Sequence, residues 1–186
     1  MKQLIVGISG ASGAPLAVEL LKQLKVHPDW ETHLVMSDGG KLTLTQETDI
    51  SVEECCQLAD VVYDNRSIGA AIASGSFRTE GMVIVPCSMK TVAGIASGYS
   101  DNLLLRAADV MLKERRKLVL VARESPLNAI HLRNLLEVTR AGAIVMPPML
   151  AYYQKPQTVA DMTGQVVGRI LDQFEIPYDS LFRWKG

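Results

Sequence analysis

Residues 4–15 read Leu-Ile-Val-Gly-Ile-Ser-Gly-Ala-Ser-Gly-Ala-Pro. An apolar run opens this stretch, as is typical of a strand buried on both faces, and glycine then recurs at positions 7, 10 and 13. After Pro15 the leucines at 16, 20, 21 and 24 fall on one helical face. The stretch therefore predicts a strand, a glycine-rich turn and a helix. A turn of this kind brings backbone N–H groups up to an anion at a helix N-terminus, so we interpret it as a phosphate or cofactor site.

The spacing of the glycines excludes two common phosphate-binding motifs. Ser9 occupies the middle glycine position of G-x-G-x-x-G, and no Gly-Lys-Ser or Gly-Lys-Thr follows as in a Walker A loop. A βα turn that binds no ligand is the alternative interpretation. Binding is favoured because the first βα turn of an open α/β sheet lies at the usual ligand edge.

Length and composition predict one globular domain. The chain has 186 residues, of which 48% are apolar and 21% charged, and we expect a single domain over residues 1–186. A net charge of −1 argues against non-specific nucleic-acid binding. No apolar run has the length of a membrane span, and the N-terminal segment does not resemble a signal peptide, so a cytoplasmic location is expected.

The cysteines and histidines predict neither disulfides nor a metal site. The three cysteines, an odd number that includes an adjacent pair, are typical of free thiols in a reducing compartment. No histidine has zinc-ligand spacing with a cysteine, and the sequence has no aspartate-rich run of the type that holds Mg²⁺, so we expect turnover without a metal. Cys87 is interpreted as a buried structural thiol, with a nucleophile as the less favoured alternative.

Further apolar runs predict five more strands, at 31–36, 61–63, 82–85, 118–122 and 143–146. Periodic segments and N-cap residues predict helices at 41–48, from Ser51 onward, and at 91–96, 102–116, 128–140 and 158–174. Because strands and helices alternate, the expected fold is an α/β fold with an open, doubly wound parallel sheet of the Rossmann or flavodoxin type, in three layers. The irregular segment 64–80 is apolar in its middle, so we expect it to reach a neighbouring subunit.

The carboxyl ends of parallel strands share one edge of the sheet, and ligands bind there. The residues that follow the predicted strands are polar or charged, at 9–13, 37–38, 87–91, 123–124 and 147–153. Glu47 and Glu124 are candidate acids or bases. The alternatives are that exposed lysines, arginines and glutamates are only solvated, and that Tyr153 only packs. Hydroxyls and cations that suit a phosphate come from Ser12, Ser37, Ser88, Thr91, Lys90, Arg106, Lys113, Arg123 and Arg169.

Several longer segments together resemble the UbiX-type flavin prenyltransferases. The resemblance covers essentially the whole chain in the right order, and SGSFRTEGM and PCSMK are most similar to the branch named after phenolic (hydroxyaryl) acid decarboxylases. The segments that carry the resemblance are GISGASGA at 7–14, TQETD at 45–49, ASGS at 73–76, VPCSMKT at 85–91, RAADVMLKER at 106–115, VARESPL at 121–127, IHL at 130–132, YYQKPQ at 152–157 and RW near the C-terminus.

The resemblance implies a transferase that moves a dimethylallyl group from dimethylallyl monophosphate to N5 and C6 of reduced FMN. The product, prenylated FMN, is expected to serve a separate UbiD-type decarboxylase that acts on an aromatic acid. The resemblance further implies a homo-oligomer, a dodecamer built from trimers, in which the loop from Ser74 to Ser76 reaches the site of an adjacent subunit. We also expect the tail from about residue 175 to pack on a neighbouring subunit.

The family's functional positions carry over to single residues of this chain. Ser12 and Glu47 match groups near the reacting flavin, and Lys113 and Glu124 are expected to act beside the departing phosphate of the donor. These four residues are the expected catalytic groups. The donor positions are matched by Tyr153 and Arg169, and the FMN positions by Gly10, Ala11, Ser12, Ser37, Ser88, Met89, Lys90, Thr91 and Arg123.

One position departs from the family. The ubiquinone branch has a tryptophan before the ASGS segment, whereas this chain has Ile68, which removes an aromatic face from the expected allylic-cation site. Trp184 is retained near the C-terminus. We therefore count Trp184, together with Ser74 and Gly75, among the expected donor-binding residues.

Three other functions are compatible with parts of the sequence. A flavoprotein decarboxylase that acts directly on its own aromatic acid needs a histidine base, and none stands at a predicted strand end. A non-catalytic FMN carrier would not need Glu124 and Arg169 at a second anion. A nicotinamide-dependent dehydrogenase, with Asp38 on the ribose, is disfavoured by the missing middle glycine.

Overall fold

The structure, a computed structural model, describes residues 1–184. Its strands are β1 (Lys2–Ile8), β2 (Trp30–Met36), β3 (Val61–Asp64), β4 (Gly81–Cys87), β5 (Lys117–Ala122) and β6 (Ile144–Val145). Its helices are α1 (Ala14–Lys25), α2 (Asp38–Glu47), α3 (Val52–Cys56), α4 (Met89–Ser97), α5 (Leu103–Lys113), α6 (Ala129–Arg140) and α7 (Val159–Gln173), with a 3₁₀ turn at Ala71–Ala73. Within residues 1–184, no helix is both long and apolar enough to cross a membrane.

All six strands form one parallel sheet in the order β3-β2-β1-β4-β5-β6. This is the strand order of the doubly wound Rossmann fold, so the predicted fold class is confirmed. The order reverses between β1 and β4, which pair directly through Val6 and Val83. In such sheets ligands bind in the crevice at this reversal, outside the carboxyl ends of the strands.

Apolar layers cover both faces of the sheet. Alternate residues of β1 point into opposite layers. Leu4 and Val6 pack in the layer that contains α1 and α7, whereas Ile5 packs in the layer that contains α4 and α5. Each fully buried side chain of this size contributes about 1.5–3 kcal/mol relative to an exposed one. Burial on both faces explains why the central strands are continuous apolar runs in the sequence.

Several elements have boundaries that differ from the prediction, and three of these differences have a local explanation. Helix α2 begins at Asp38 rather than Lys41, because the Ser37 hydroxyl accepts a hydrogen bond from the Gly40 N–H (3.0 Å) and caps the helix. Helix α5 ends at Lys113 rather than Arg116, and the chain turns at Arg115, whose φ is +56°. Strand β6 is only two residues long, and two prolines follow it at 147–148.

The apolar middle of segment 64–80 is buried in the chain's own core. Ile72 is fully buried in the layer of α4 and α5, and Tyr63 and Phe77 pack against that layer. An exposed apolar centre was the reason to expect contact with a neighbouring subunit, and that reason is wrong. The segment also has exposed residues, among them Ile68 and the serines at 74 and 76.

The C-terminal tail folds back over α7 of its own chain. Ile176 and Leu181 are buried, and Gly168 of α7 is the position against which Tyr178 and Leu181 pack. A Cβ at Gly168 would lie 2.6 Å from the Tyr178 ring, so the close approach requires glycine. Trp184 stays largely exposed, and its packing on a neighbouring subunit stays a prediction. The last two residues, 185–186, lie outside the described residues.

Candidate functional site

Ser9 joins the two turns that flank the strand-order reversal. Its buried hydroxyl donates a hydrogen bond to the Pro86 carbonyl (3.0 Å) and accepts one from the Ser88 N–H (2.8 Å). A glycine at position 9 would leave the Ser88 N–H without this acceptor. The serine at the middle position of the glycine motif is therefore a structural bridge between β1 and β4, and its hydroxyl is not available to a ligand.

Glu47 occupies the N-terminus of α1. Its carboxylate Oε2 accepts hydrogen bonds from the Gly13 N–H (2.8 Å) and the Ala14 N–H (2.9 Å). Gly13 has no side chain that could cap α1. Glu47, the last residue of α2, supplies the missing acceptor instead, although it lies 34 positions after Gly13 and 33 after Ala14. A side-chain anion therefore already accepts from these two N–H groups. A cofactor at the earlier part of the turn, residues 10–12, stays a prediction.

The surroundings of Glu47 keep it ionised. Partial burial raises the pKa of this carboxyl, but the hydrogen bonds from Ser12, Gly13 and Ala14, together with the charge of Arg123, outweigh it and lower the pKa below its usual value. The structure thus brings three predicted site residues together, Ser12, Glu47 and Arg123. At neutral pH the cluster offers a carboxylate that can accept a proton rather than donate one.

The N-terminus of α4 is the helix end available to an anion at the reversal. The Ser88 hydroxyl caps it by accepting from the Thr91 N–H (3.2 Å), and the two hydroxyls lie 3.1 Å apart. The N–H groups of Met89 and Lys90 lie in the first turn, where a helix has no intrahelical acceptors. Thr91 is buried, whereas the Lys90 side chain is exposed. This first turn combines N–H groups, hydroxyls and a cation, which suits a phosphate.

Three glycines, Gly10, Gly39 and Gly40, allow the turn after β1 to lie against the start of α2. A Cβ on Gly10 would lie 3.0 Å from the Gly39 Cα, and one on Gly40 would lie 2.5 Å from the Ile8 carbonyl oxygen. Side chains at these positions would force the two segments apart. Ser37 therefore stands beside Gly10 and Ala11, as a shared ligand site requires, although its hydroxyl already caps α2.

Arg123 and Glu124 follow β5 at the same edge of the sheet. The Arg123 N–H donates to the Cys87 carbonyl (3.0 Å), which places this residue next to the start of α4. Glu124 is exposed, and its carboxylate accepts a hydrogen bond from the neighbouring Ser125 N–H (3.0 Å). The structure therefore joins Arg123 to the reversal site and leaves Glu124 facing solvent.

A second group of predicted residues meets beyond β6. Tyr153 and Arg169 line a cavity of about 220 Å³ together with residues of the 146–151 segment. The Arg169 guanidinium pairs with Asp172 (3.0 Å) and its side chain is half exposed. The Trp184 ring stands edge-on to the Tyr153 ring, with 5.7 Å between their centroids. Tyr153 and Arg169 thus share one small cavity, and Trp184 packs on Tyr153 from outside the residues that line it.

Lys113, Ser74 and Gly75 lie at the opposite edge of the sheet. Lys113 pairs with Glu114 at the C-terminal end of α5, and both side chains lie against Gly75. Arg116 then donates to the Gly75 carbonyl (2.7 Å), just before β5 begins. Within one chain these residues therefore stand apart from Tyr153 and Arg169, because α5 places its last turn at the amino ends of the strands. That the loop at Ser74–Ser76 reaches the site of an adjacent subunit stays a prediction.

The thiols offer no nucleophile at the site. Burial raises the pKa of the Cys87 thiol far above its usual value, and burial raises the pKa of the Cys55 thiol to about 11. All three cysteines are free. Among residues 1–184 there is no group of three or more histidine, cysteine, aspartate or glutamate side chains arranged to hold a metal ion.

Two polar residues of α7 beside the predicted site were not predicted from the sequence. Gln165 is buried and its amide donates to the Tyr153 hydroxyl (3.2 Å), while Asp172 accepts hydrogen bonds from both Arg169 and Arg183. The signal for Gln165 was its spacing, four residues before Arg169 and therefore on the same helical face. Asp172 is three residues after Arg169 and so had the same kind of signal, but its contact with Arg183 of the tail had none.

Known proteins are similar to this chain in both fold and sequence. The model of the Flavoprotein family matches residues 1–173. A flavin prenyltransferase named UbiX from Escherichia coli is 55% identical over 188 aligned positions, which cover 100% of both chains. The structure of a dodecameric FMN-dependent UbiX-like decarboxylase, also from Escherichia coli, is 53% identical with a TM-score of 0.97, covering 99% of this chain and 100% of that one.

A third relative was solved with ligands. The protein named AnUbiX, in complex with FMN and dimethylallyl pyrophosphate, is 50% identical with a TM-score of 0.97, and the alignment covers 100% of this chain and 98% of that one. The alignment therefore includes every element of the sheet and both groups of polar residues at its carboxyl edge. This chain belongs to the Flavoprotein family and, within it, to the UbiX-type flavin prenyltransferases.

Proposed function

We propose that this chain transfers a dimethylallyl group from dimethylallyl monophosphate to reduced FMN. In this reaction the donor's carbon–oxygen bond breaks, a bond from that carbon to the flavin forms, and inorganic phosphate leaves. The observation that carries the proposal is the presence of two separate anion-binding arrangements at one edge of the sheet. One is the first turn of α4 with Arg123, and the other is the cavity of Tyr153 and Arg169.

The residues at the reversal fit FMN. A phosphate monoester dianion needs several N–H and O–H donors and a compensating cation, and the α4 turn provides them. FMN, when bound, supplies the nucleophilic atoms of the reaction. The chain's part is to hold the phosphate through Ser88, Met89, Lys90, Thr91 and Arg123, and to leave room for the ring system beside Gly10, Ala11, Ser12 and Ser37.

Residues of the second group suit the donor. The Arg169 guanidinium and the Tyr153 hydroxyl provide fixed positive charge and a hydrogen-bond donor for the phosphate as it departs. The Trp184 indole presents an aromatic face to an allylic cation in place of the tryptophan that Ile68 replaces. Ile68 is exposed in this chain and stands apart from Tyr153, on the segment after β3.

Proton transfer is assigned to two carboxylates. Glu47, which its surroundings keep ionised, is suited to accept a proton near the flavin, with Ser12 orienting the reacting edge. Glu124 is free to turn toward a phosphate held at Arg123 and to protonate it. The two residues thus have different roles, because Glu47 is fixed by three donors and Glu124 is bound only by its neighbour's N–H.

Lys113, Ser74 and Gly75 are proposed to complete the site of an adjacent subunit. In their own chain they lie at the wrong edge of the sheet for the donor cavity, yet they form one compact cluster. A homologue of nearly identical fold is dodecameric. A homo-oligomer, a dodecamer built from trimers, supplies a second copy that can bring this cluster to the donor.

The product is proposed to serve a partner. Prenylated FMN is of use only to an enzyme that binds it, so we infer transfer to a UbiD-type decarboxylase of an aromatic acid. The reaction needs reduced flavin, and the three free cysteines are compatible with a reducing compartment. We therefore infer that the protein works in the cytoplasm.

The decisive experiment is a mass spectrum of the flavin. Reduced FMN, dimethylallyl monophosphate and the protein are incubated without oxygen, and the released flavin is expected to gain one dimethylallyl unit. An unchanged flavin mass would contradict the proposal and favour a non-catalytic FMN carrier. Release of CO₂ from an aromatic acid, with FMN but no donor present, would favour a direct decarboxylase.

A further inference from the structure

Gln165 is a buried polar residue beside the donor cavity to which no role has been assigned. It is 6% exposed, and its side chain lies between the cavity of about 220 Å³ that contains Tyr153 and Arg169 and a larger one of about 780 Å³ beside Glu47. Gln165 and Arg169 are four residues apart on α7 and share one face of the helix. A buried amide is costly unless its polar atoms are hydrogen-bonded, so its partners define what it does.

The orientation of the Gln165 amide is fixed by one of these partners. Its Nε2 lies 3.3 Å from the carbonyl oxygen of Phe182, which can only accept a hydrogen bond. The atom facing Phe182 must therefore be the NH₂ nitrogen. The same nitrogen lies 3.2 Å from the Tyr153 hydroxyl oxygen and donates its second hydrogen there.

This arrangement determines where the Tyr153 proton points. Because the hydroxyl oxygen accepts from Gln165, its own hydrogen is directed away from Gln165 and is free for another acceptor. Tyr153 lines the cavity shared with Arg169, where the proposed function places the donor phosphate. A phenol that donates to a phosphate forms a charge-assisted hydrogen bond, which is stronger than a neutral one.

We propose that Gln165 is a positioning residue for the prenyl donor: its amide aims the Tyr153 O–H at the donor phosphate and ties the C-terminal tail to the same point through Phe182. This inference rests on the proposed function. The tail carries Trp184, whose ring packs edge-on against Tyr153. The Gln165 amide therefore fixes the Tyr153 hydroxyl directly and the position of the Trp184 indole through the tail.

Two substitutions separate positioning from packing. Gln165→Leu removes both N–H donors. Gln165→Glu keeps the size of the side chain but reverses the hydrogen bond, because a carboxylate accepts the phenolic proton and turns it away from the donor. Both variants are expected to lower kcat/KM for dimethylallyl monophosphate roughly tenfold, as expected for the loss of one oriented hydrogen bond to a charged group. The FMN dissociation constant should not change.

The control for orientation is a double-mutant cycle with Tyr153→Phe. Without the hydroxyl, Gln165→Leu has nothing left to position, so it should add less than about a twofold further loss. Gln173→Leu, on the same helix but with its side chain in none of the described hydrogen bonds, should match the wild type. Thermal unfolding of each variant checks that the fold is intact.

The outcomes are distinguishable. An undiminished tenfold effect of Gln165→Leu in the Tyr153→Phe background would overturn the inference and leave Gln165 as a packing residue only. Wild-type activity in Gln165→Glu would overturn the inference as well. This variant has a side chain of the same size, so it provides a test even if Gln165→Leu does not fold. Failure of the wild-type protein to prenylate reduced FMN would instead refute the proposed function itself.

Discussion

Among single residues, Glu47 has the largest number of fixed partners at the site. We expect Glu47→Gln to destabilise the protein by about 1 kcal/mol, since a neutral amide interacts less favourably with the α1 N-terminus. Chemical denaturation at neutral pH measures this change. A variant as stable as the wild type would show that the charge of Glu47 contributes nothing to the helix.

The same carboxylate predicts a pH dependence. Its folded pKa lies below the unfolded value, near 4.5, so its contribution to stability is complete above that pH and is lost as pH falls through the folded pKa. The loss of stability on acidification should therefore be smaller in Glu47→Gln than in the wild type. If the unfolding free energies of the wild type and Glu47→Gln changed with pH in the same way, the lowered pKa would not belong to Glu47.

Glu124 and Arg123 are adjacent in sequence, but substitutions at the two positions are expected to impair different steps. Glu124→Gln should still bind FMN and transfer the prenyl group on the order of 10²- to 10⁴-fold more slowly, as typical of removing a general acid. Arg123→Ala should weaken FMN binding itself, because it removes a charge-assisted contact. Single-turnover kinetics at saturating ligands, with Glu80→Gln as the exposed control, distinguishes the two. If Glu124→Gln reacts at the wild-type rate, the acid must be another group.

At the scale of elements, the tail is attached to α7 by a small charge network. Asp172 accepts from Arg183 (2.7 Å) and from Arg169 (3.0 Å). The pKa of this carboxyl is lowered, mainly by Arg183, so the network is present above the usual aspartate pKa and is lost as pH falls below it. Because the arginines are half exposed, each pair contributes only about 0.2–1 kcal/mol.

Asp172→Asn is therefore expected to loosen the tail without unfolding the domain. Trp184 should become more mobile and Tyr153 less shielded, which Trp fluorescence anisotropy and proteolysis of the tail measure. Asp179→Asn, an exposed change in the same tail, is the control. Equal protease resistance of the wild type and Asp172→Asn would show that Tyr178 and Leu181 alone hold the tail in place.

The elements were largely predictable and their contacts were not. Strands β1, β4 and β5 are buried on both faces, so each is a visible apolar run, and the alternation with helices fixed a parallel sheet. The start of α2 was missed because Gly39 and Gly40 resemble a turn, whereas they allow a close approach to Gly10 and Ile8. Glu47 at the α1 N-terminus joins residues more than 30 positions apart, and no local pattern encodes such a contact.

The whole molecule leaves apolar side chains exposed along α6 and in the loop after β6. Ile130, Leu132 and Met149 are 58%, 55% and 75% exposed, respectively. Exposed apolar side chains on this scale are typical of surfaces that bind another protein, which agrees with the proposed oligomer. The residues proposed for the donor site are divided between two edges of the sheet, so they do not meet within one chain.

Subunit mixing tests the shared site directly. Lys113→Ala and Arg123→Ala are each expected to be nearly inactive alone. Co-assembled in equal amounts, they should regain activity in about a quarter of the sites, because random assortment pairs an intact Lys113 with an intact Arg123 of another copy. Mixtures of each variant with itself provide the baseline. No recovery in co-assembled oligomers would show that both residues act within one chain. Full activity of Lys113→Ala alone would show that Lys113 takes no part.

The carboxylate at the start of α1 also has a consequence for cofactor choice. In the dinucleotide-binding version of this fold, that helix end receives the pyrophosphate. In this chain the Glu47 carboxylate occupies the N-terminus of α1. NAD or FAD would have to displace that carboxylate, or place the two negative charges of its pyrophosphate beside it. We therefore expect the chain to select a mononucleotide, because its own Glu47 carboxylate occupies the position that the pyrophosphate of a dinucleotide would need.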